Sequence, residues 1–405
     1  MESSILRGLI GIVVLLALAY LASSNRKKIN WRTIGGALAL QLFLGAFVLY
    51  FPAGKVVLLS VSDVVSTVIN YAGAGIEFMF GDIGRKNIGF IFAFHVLPVI
   101  VFFSALIAVL YYLGIMGVVI KVIGGGLQKL LQTSQPESMS ATANIFVGQT
   151  EAPIVIKPFL PKMTKSELFA VMVGGLSSVA GAVLAGYVGI GVELKYLIAA
   201  SFMAAPGGLL MAKLIVPETE APNDDLNDLT TDSKEAVNVI DAAATGAANG
   251  MSLALNVGAM LMAFVALVAM VNGLLGTVGE LFGVQSLTLQ QILGYIFQPI
   301  AYVIGVPWHE ANTAGSFLGQ KVIINEFVAY LDFVQVADQL SARTQGIVTF
   351  ALCGFANLSS VAILLGGIGS MAPTRRHEIA SLGMRAVLAG VLANLMSATI
   401  AGMFL

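Results

Sequence analysis

Leu176-Ser177-Ser178-Val179-Ala180 returns later in the chain as Leu358-Ser359-Ser360-Val361-Ala362, and both copies lie within apolar sequence. A glutamate in a broken apolar stretch precedes each copy, in Gly148-Gln149-Thr150-Glu151-Ala152-Pro153 and in Ile324-Asn325-Glu326-Phe327. A carboxylate inside hydrocarbon is costly and is treated as a functional site by default. Two such carboxylates, placed alike in two halves of one chain, predict a secondary transporter whose site lies where the repeats meet.

The composition supports a membrane protein independently of any motif. Of 405 residues, 58% are hydrophobic and 11% are charged, and the mean hydropathy is +0.91. In soluble domains about a quarter of the residues are charged. A net charge of −1 and a pI near 6.3 argue against nucleic acid as a partner. The single cysteine, Cys353, excludes an internal disulfide.

Apolar runs long enough for a membrane-spanning helix recur along the chain. They predict an all-α polytopic membrane protein with eight transmembrane helices, at about residues 5–21, 34–50, 88–113, 168–190, 196–216, 252–275, 347–368 and 382–405. Residues 56–80 suit an interfacial helix and 118–131 an amphipathic one, whereas 276–306 are predicted to be irregular. Basic residues 26–28 favour a retained first helix with its N-terminus outside, and an even number of crossings puts the C-terminus outside too.

Two further segments are too polar and too broken to cross. Residues 138–159 are interrupted at Gly148-Gln149-Thr150, and residues 309–330 break near Asn325. Each half is too short to span a bilayer, so both segments are predicted to be re-entrant hairpins. Thr150 and Asn325 are expected to cap helix starts, each with a glutamate near the positive end of the helix dipole, and these starts are expected to meet. Counting crossings opens one hairpin inward and the other outward, as in inverted repeats.

The chain is accordingly divided into four parts. Residues 1–135 form scaffold spans and interfacial helices, and 136–216 form the first repeat with hairpin 1. Residues 217–245 are an acidic cytoplasmic loop, for which a solvated linker is favoured over a cation sensor. Residues 246–405 hold a scaffold span, hairpin 2, a broken helix and the last span. The proposed ligand contacts lie in the hairpins and broken helices, which are expected to move against the scaffold.

Polar residues inside the predicted spans are the remaining candidates. Ser177 and Ser359 are interpreted as packing or backbone-bonding serines. Asn357 needs several partners in hydrocarbon, and its neighbourhood, Gly354-Phe355-Ala356-Asn357-Leu358-Ser359-Ser360, is predicted to be an unwound helix that exposes backbone groups. The sequence has no Ser/His/Asp or metal-ligand spacing that favours an enzyme.

Three motifs together resemble those of a known family: Gly148-Gln149-Thr150-Glu151-Ala152-Pro153, Asn325-Glu326-Phe327-Val328-Ala329-Tyr330 and Gly354-Phe355-Ala356-Asn357-Leu358-Ser359-Ser360. The chain strongly resembles, over essentially its whole length, the concentrative nucleoside transporters and, more narrowly, their bacterial sodium-coupled members. The resemblance implies a homotrimer in the bacterial inner membrane. Each protomer would have eight transmembrane helices, two opposed hairpins and its own nucleoside site, with Na⁺ as coupling ion and no other cofactor.

The resemblance also implies the residues of the site. The tip of hairpin 1 would contact the nucleobase through Gln149, Thr150 and Glu151. Hairpin 2 and the broken seventh helix would hold the ribose through Glu326, Asn357 and Ser360. Phe355 would lie near the base, and Val183 and Leu253 would be apolar walls. Sodium would be held by Asn144, Val147, Ser178 and Val179, the two valines acting through backbone carbonyls.

Elementary chemistry is compatible with this assignment. A carboxylate and an amide can accept from and donate to vicinal ribose hydroxyls, and sodium takes oxygen ligands. An ion beside the hairpin tip could order the base-binding residues, which couples ion and nucleoside by population shift. A proton-coupled nucleoside symporter, with Glu151 or Glu326 as carrier, is the alternative, although Asn144 and Ser178 favour sodium. A channel is a third hypothesis. Two opposed gates around a buried site favour a transporter with alternating access over a channel.

Overall fold

The computed structural model describes residues 2–85, 89–222, 236–283 and 287–405, with side chains from residue 5 onward. All regular structure in these ranges is helical. Of the predicted acidic loop, residues 223–235 lie outside the described residues, and residues 239–245 are helical and not part of a loop. The α-helices in chain order are α1 (Glu2–Leu21), α2 (Trp31–Leu49), α3 (Pro52–Phe80), α4 (Phe92–His95), α5 (Leu97–Tyr112), α6 (Ile115–Leu131), α7 (Gln135–Ala143), α8 (Lys165–Ser177), α9 (Gly181–Gly189), α10 (Leu194–Ile215), α11 (Val239–Leu281), α12 (Leu289–Val303), α13 (Trp308–Ile323), α14 (Glu326–Val336), α15 (Ala342–Leu352), α16 (Ser360–Met371) and α17 (Arg376–Phe404).

The helices confirm the all-α polytopic class. Within the described ranges, seven stretches are long and apolar enough to cross a membrane, namely Trp31–Leu49, Pro52–Ile83, Phe92–Tyr112, Lys165–Gly189, Leu194–Ile215, Val239–Leu281 and Pro373–Phe404. The bent pair α12 and α13, with 116° between them, would make an eighth only if the two helices formed one broken span and not part of a re-entrant loop. The predicted set of crossings differs from this one, because it counted α1 and the broken pair α15 and α16 and treated α3 as interfacial. The interfacial placement of α3 stays a prediction.

The same order of elements occurs twice. An amphipathic helix (α6, then α12) precedes a hairpin (beginning with α7, then α13), a broken helix (α8–α9, then α15–α16) and a long buried helix (α10, then α17). One sequence prediction is refined here and another is corrected. Residues 168–190 lie in one candidate span as predicted, but the helix breaks at residues 178–180, and the region predicted to be irregular contains α12. Helix α12 was missed because only one of its faces is apolar.

The two hairpins are built differently. Hairpin 1 begins with α7, whose Ser134 and Glu137 form a capping box, and continues after its tip only as a 3-10 turn over Ala152–Ile156. Pro153, Pro158 and Pro161 lack the N–H that an α-helix would need in this arm. Hairpin 2 is a pair of α-helices, α13 and α14, that break at Ile324-Asn325 as predicted.

Burial divides the long helices into two groups. In the most apolar 18-residue stretch of each span, 94% is buried in α8–α9 and in α10, against 17% for α3 and 11% for α11. Helix α11 has 43 residues and is therefore about 65 Å long, about twice the hydrocarbon thickness. Its Gly246 and Gly250 lie directly against α5, which allows the two helices to pack closely. Helices α3 and α11 are thus mostly exposed, beside a buried group that contains both helix breaks.

Candidate functional site at the two helix breaks

The two helix breaks touch each other. The backbone N–H of Phe355 donates to the carbonyl of Ser178 at 3.1 Å. The side-chain amide of Asn394, on α17, donates to the carbonyls of Ser177 at 2.6 Å and Cys353 at 3.0 Å. Carbonyls at a helix C-terminus have no partner within their own helix. One buried amide therefore ties the ends of α8 and α15 together.

Glu326 is the buried acidic centre of this region. It is the first residue of α14, where the Asn325 side chain accepts from the Val328 N–H at 2.9 Å, so the predicted Asn325 cap is confirmed. The Glu326 carboxylate accepts from the Tyr187 hydroxyl at 3.0 Å and from the Asn357 amide at 3.2 Å. Hairpin 2, the second break and α9 therefore converge on one carboxylate.

Asn357 extends this network through the predicted unwound segment. Its side-chain oxygen accepts from the Ser360 N–H at 3.0 Å, the Ser360 hydroxyl at 3.0 Å and the Ser359 hydroxyl at 2.7 Å. The single hydroxyl proton of Ser360 is shared between the Asn357 oxygen and the carbonyl of Phe355. Residues 353–359 lie between α15 and α16 and are not α-helical, as predicted. Glu326, Asn357 and Ser360 are thus one hydrogen-bonded chain.

Three residues of this network were not predicted from the sequence. Lys321 is only 2% exposed, and its ammonium donates to the carbonyl of Ala351 at 2.7 Å and to the side-chain oxygen of Asn394 at 2.6 Å. Lys321 and Asn394 could have been found as polar groups inside apolar segments. Tyr187 carried no comparable signal, because a tyrosine within a span is ordinary.

The residues predicted to bind an ion lie at the first break. Asn144 follows α7, and its amide nitrogen donates to the carbonyl of Ser140 at 2.9 Å. Its buried side-chain oxygen has no partner among the described residues. The Ser178 hydroxyl donates to the carbonyl of Gly174 at 3.0 Å. A Cβ added at Gly174 would lie 3.2 Å from the Asn144 amide nitrogen, so Asn144 and Ser178 share this neighbour.

A hard cation would fit this donor set. The Asn144 oxygen is free to coordinate within the described structure, and the Ser178 hydroxyl keeps its lone pairs because its proton is used elsewhere. Val147 and Val179 are buried, and both belong to segments joined by the hydrogen bond from the Gly181 N–H to the Phe146 carbonyl, 3.0 Å long. The oxygen-rich set suits Na⁺ better than a metal that prefers nitrogen or sulfur.

At the tip of hairpin 1, the prediction that Thr150 caps a helix is wrong. Thr150 lies in a turn and does not cap a helix; the 3-10 turn that follows has no side-chain cap at its start, and Thr150 packs instead against Gly367 of α16. The Glu151 carboxylate folds back toward Gly148, and Glu151 is exposed whereas Glu326 is buried. The two glutamates are therefore not in equivalent surroundings. The proline-rich arm after Glu151 explains the difference, since no α-helix starts there.

The remaining predicted residues lie around these groups. Gln149 packs against Gly175 of α8, and its side-chain oxygen has no partner in the part of the chain that the structure describes. Phe355 is half-buried in the second break, and Val183 is buried in α9. Leu253 of α11 is half-buried and packs against the same apolar clusters that α9 enters.

A cavity of about 550 Å³ lies beside the tip, between hairpin 1 and α16. This volume is typical of small-molecule sites. Of the predicted site residues only Thr150 lines it, together with Ile154, Lys157, Ile363, Gly366, Gly367, Ser370 and Met371. The cavity therefore adjoins the base-contacting end of the predicted site and not the Glu326 network.

Two repeats, each with a hairpin beside a broken helix and with polar groups at the breaks, define a secondary transporter. Family profiles agree with this class. Residues 10–83 and 196–402 match the N-terminal and C-terminal parts of the Na⁺-dependent nucleoside transporters, and residues 93–193 match a nucleoside-recognition gate domain. The chain belongs to this family, the concentrative nucleoside transporters, which are transporters and not enzymes.

Similar proteins cover the whole chain. An uncharacterized transporter of Haemophilus influenzae is 59% identical, over 99% of this chain and 98% of its own. The nucleoside permease NupC of Helicobacter pylori is 50% identical over the same shares. The transporter CNTnw in an inward-facing substrate-bound state has a TM-score of 0.95 and 58% identity, covering 99% of this chain and 98% of that one. An outward-facing double variant of CNTnw has a TM-score of 0.97 and 57% identity, covering 100% and 99%.

Proposed function

We propose that this chain is a sodium-coupled nucleoside symporter that works by alternating access. Membership of a Na⁺-dependent family supports the ion, and the inward-facing and outward-facing states of CNTnw support the mechanism. The observation that carries the proposal is the hydrogen-bonded chain of Glu326, Asn357 and Ser360 next to a break where the Asn144 oxygen has no partner among the described residues.

The ribose end of the site is Glu326, Asn357 and Ser360. A carboxylate offers about four lone-pair sites, and neighbouring side chains use two of those of Glu326, through Tyr187 and Asn357. Capacity therefore remains for a pair of ribose hydroxyls. Because these bonds are charge-assisted, they favour a nucleoside over a free nucleobase, which brings no such hydroxyls.

The nucleobase end is the hairpin 1 tip. Gln149, Thr150 and Glu151 supply polar contacts, while Phe355, Val183 and Leu253 supply apolar ones. Gln149 suits this role because its buried oxygen is unpartnered within the described ranges. An amide can both donate to and accept from a base edge, so the residue types set no clear preference between purine and pyrimidine.

The ion end is Asn144, Ser178 and the carbonyls of Val147 and Val179. Bound Na⁺ would supply positive charge to these oxygens. Asn144 and Gln149 belong to one tip and pack against consecutive residues of α8, Gly174 and Gly175. Fixing the first therefore restrains the second, and ion binding favours the tip conformation that receives the nucleobase.

The assembly proposed here is a homotrimer in the bacterial inner membrane, with both termini outside. Bacterial relatives of full length support the location. Helices α3 and α11 are mostly exposed and would supply the scaffold and the contacts between protomers, while the hairpins and broken helices move. Analytical ultracentrifugation of the purified protein with bound detergent accounted for tests the trimer, and a monomer of full binding activity would contradict it.

The coupling ion is tested in proteoliposomes with imposed gradients of sodium and of protons, applied separately. An inward sodium gradient should drive labelled uridine uptake, whereas potassium should not replace sodium. Uridine loaded on the trans side should accelerate uptake, which a channel would not show. Full uptake driven by protons in sodium-free buffer would establish the proton-coupled alternative, with Glu151 or Glu326 as carrier.

The moving part is tested by tethering it. Val155, just after the hairpin 1 tip, and Ile107, on α5, pack against the same small cluster of Ile120, Ala143, Val147 and Ala152. A disulfide between cysteines at 107 and 155, in a Cys353→Ser background, should stop uptake and leave uridine binding intact. Reduction should restore uptake. If the cross-linked protein transports at the normal rate, the model of a moving domain is wrong and gating by the hairpins alone would have to account for transport.

A further inference from the structure

Counted from the ends of their first hairpin helices, the two repeats carry different side chains. In each repeat the end of the first hairpin helix meets the end of the first half-helix, as α7 meets α8 and α13 meets α15. Ala141 lies two residues before the end of α7 at Ala143, and Lys321 lies two residues before the end of α13 at Ile323. The first repeat therefore has a methyl group where the second has an ammonium.

The surroundings of the Lys321 ammonium are those of a bound cation. A side-chain amide oxygen, on Asn394, and a backbone carbonyl, on Ala351, accept from it at 2.6 and 2.7 Å. Such short distances are typical of charge-assisted hydrogen bonds. Ala351 lies in the last turn of α15, where the helix dipole presents partial negative charge. The first break offers oxygens of the same two kinds, from Asn144 and from backbone carbonyls.

We propose that Lys321 is a built-in cation that fills the second-repeat counterpart of the sodium site, so that removing its ammonium opens a latent site for a second Na⁺. This inference rests on the sodium-coupled function proposed above. In the first repeat the small Ala141 leaves the end of α8 to a mobile ion. In the second repeat the cation is covalently attached, so the chain couples nucleoside to one sodium ion.

The space around Lys321 is suited to such an exchange. A cavity of about 30 Å³ adjoins the side chain, lined by Phe297, Ile300, Leu318, Lys321, Val322, Ala351, Val391 and Leu395. This exceeds the roughly 10–15 Å³ that a cavity needs to hold one water molecule. Shortening Lys321 to alanine would join the vacated volume to this cavity. An ion with a water would then fit, held by the Ala351 and Asn394 oxygens, because the other lining groups are mostly apolar.

The test compares two truncations of Lys321 in uridine titrations at increasing sodium. Lys321→Ala opens the space, whereas Lys321→Met fills it with an uncharged chain and is the matched control. Wild-type binding should depend on sodium with a Hill slope of about one, and Lys321→Ala with a slope of about two. Lys321→Ala should bind uridine at least about tenfold more weakly at low sodium and recover at high sodium. Lys321→Met should weaken binding without recovery.

The sodium-to-uridine flux ratio in proteoliposomes should likewise rise from about one to about two in Lys321→Ala only. A slope of one in Lys321→Ala without recovery at high sodium would overturn the proposal, as would a wild-type slope of two. A wild type that ignores sodium would instead contradict the proposed function. If Lys321→Ala does not fold, the reciprocal variant Ala141→Lys decides: sodium-independent uridine binding supports the built-in cation, and unchanged sodium dependence refutes it.

Discussion

Hairpin 1 and hairpin 2 occupy corresponding places in the two repeats. They differ in whether their polar side chains find hydrogen-bond partners within the protein. In hairpin 2 and its break, the proposed ligand residues Glu326, Asn357 and Ser360 all have side-chain or backbone partners. In hairpin 1, the side-chain oxygens of Asn144 and Gln149 are buried and have none among the residues described. The polar groups of hairpin 2 and its break are therefore paired within the protein, whereas the two oxygens of hairpin 1 are available to ligands.

Local sequence explains the difference. Helix α14 starts at Glu326, is capped by the Asn325 side chain and contains no proline, so its first turn holds Glu326 in place. The matching arm of hairpin 1 carries Pro153, Pro158 and Pro161 and forms only a 3-10 turn. Buried polar atoms without partners are destabilising, so an ion and a nucleobase that supply partners would stabilise the tip. We therefore expect hairpin 2 to supply most of the nucleoside affinity and hairpin 1 to supply the coupling to the ion.

The substitution expected to weaken uridine binding most is at Glu326. Glu326→Gln keeps the shape but loses charge-assisted acceptance, which is typically about 1.5–3 kcal/mol, so uridine should bind at least about tenfold more weakly in calorimetric titrations. Glu151→Gln is the matched control on the exposed side and should have a smaller effect. Equal losses in the two variants would mean that the hairpins do not differ as argued. Wild-type affinity in Glu326→Gln would remove Glu326 from the ribose site.

Gly354 offers a test of whether the contact through Asn394 holds the two helix breaks in place. A Cβ at this position would meet the Asn394 side-chain oxygen, so Gly354→Ala must push apart the contact that joins the two breaks. Overpacking of this kind is expected to lower the free energy of unfolding by about 1–3 kcal/mol, and a displaced break should also weaken uridine binding.

Thermal unfolding in detergent with parallel uridine titration measures both effects of Gly354→Ala. The control is Gly273→Ala on α11, where no described atom lies within 4 Å of the added Cβ. Gly273→Ala should not lower the unfolding temperature and should leave uridine binding unchanged. If Gly354→Ala unfolds at the wild-type temperature and binds normally, the contact through Asn394 does not hold the breaks in place.

The sequence was informative where structure depends on neighbours along the chain. The break at Asn325, the unwound segment after Gly354 and the long apolar helices follow from caps, glycines and periodicity, and the structure has them. Predictions that needed contacts from elsewhere in the fold were incomplete or wrong. The Thr150 cap failed for a different, local reason, because the later prolines prevent a helix. Lys321 and Asn394 were missed because their partners come from other helices far along the chain.

A double variant in the proposed ion site tests the role of hairpin 1 and should change sodium-free uridine binding least. Asn144→Ala combined with Ser178→Ala removes both side-chain oxygens from the ion site and leaves the Glu326 network untouched. Uridine binding without sodium should change by about twofold or less, while the strengthening by sodium should largely disappear. By linkage, uridine should then no longer raise the affinity for sodium, which sodium titration with and without uridine measures. Potassium serves as the ion control throughout. If the double variant keeps the full sodium effect, the ion binds elsewhere; if it loses binding even without sodium, hairpin 1 contributes affinity and the division between the hairpins is wrong.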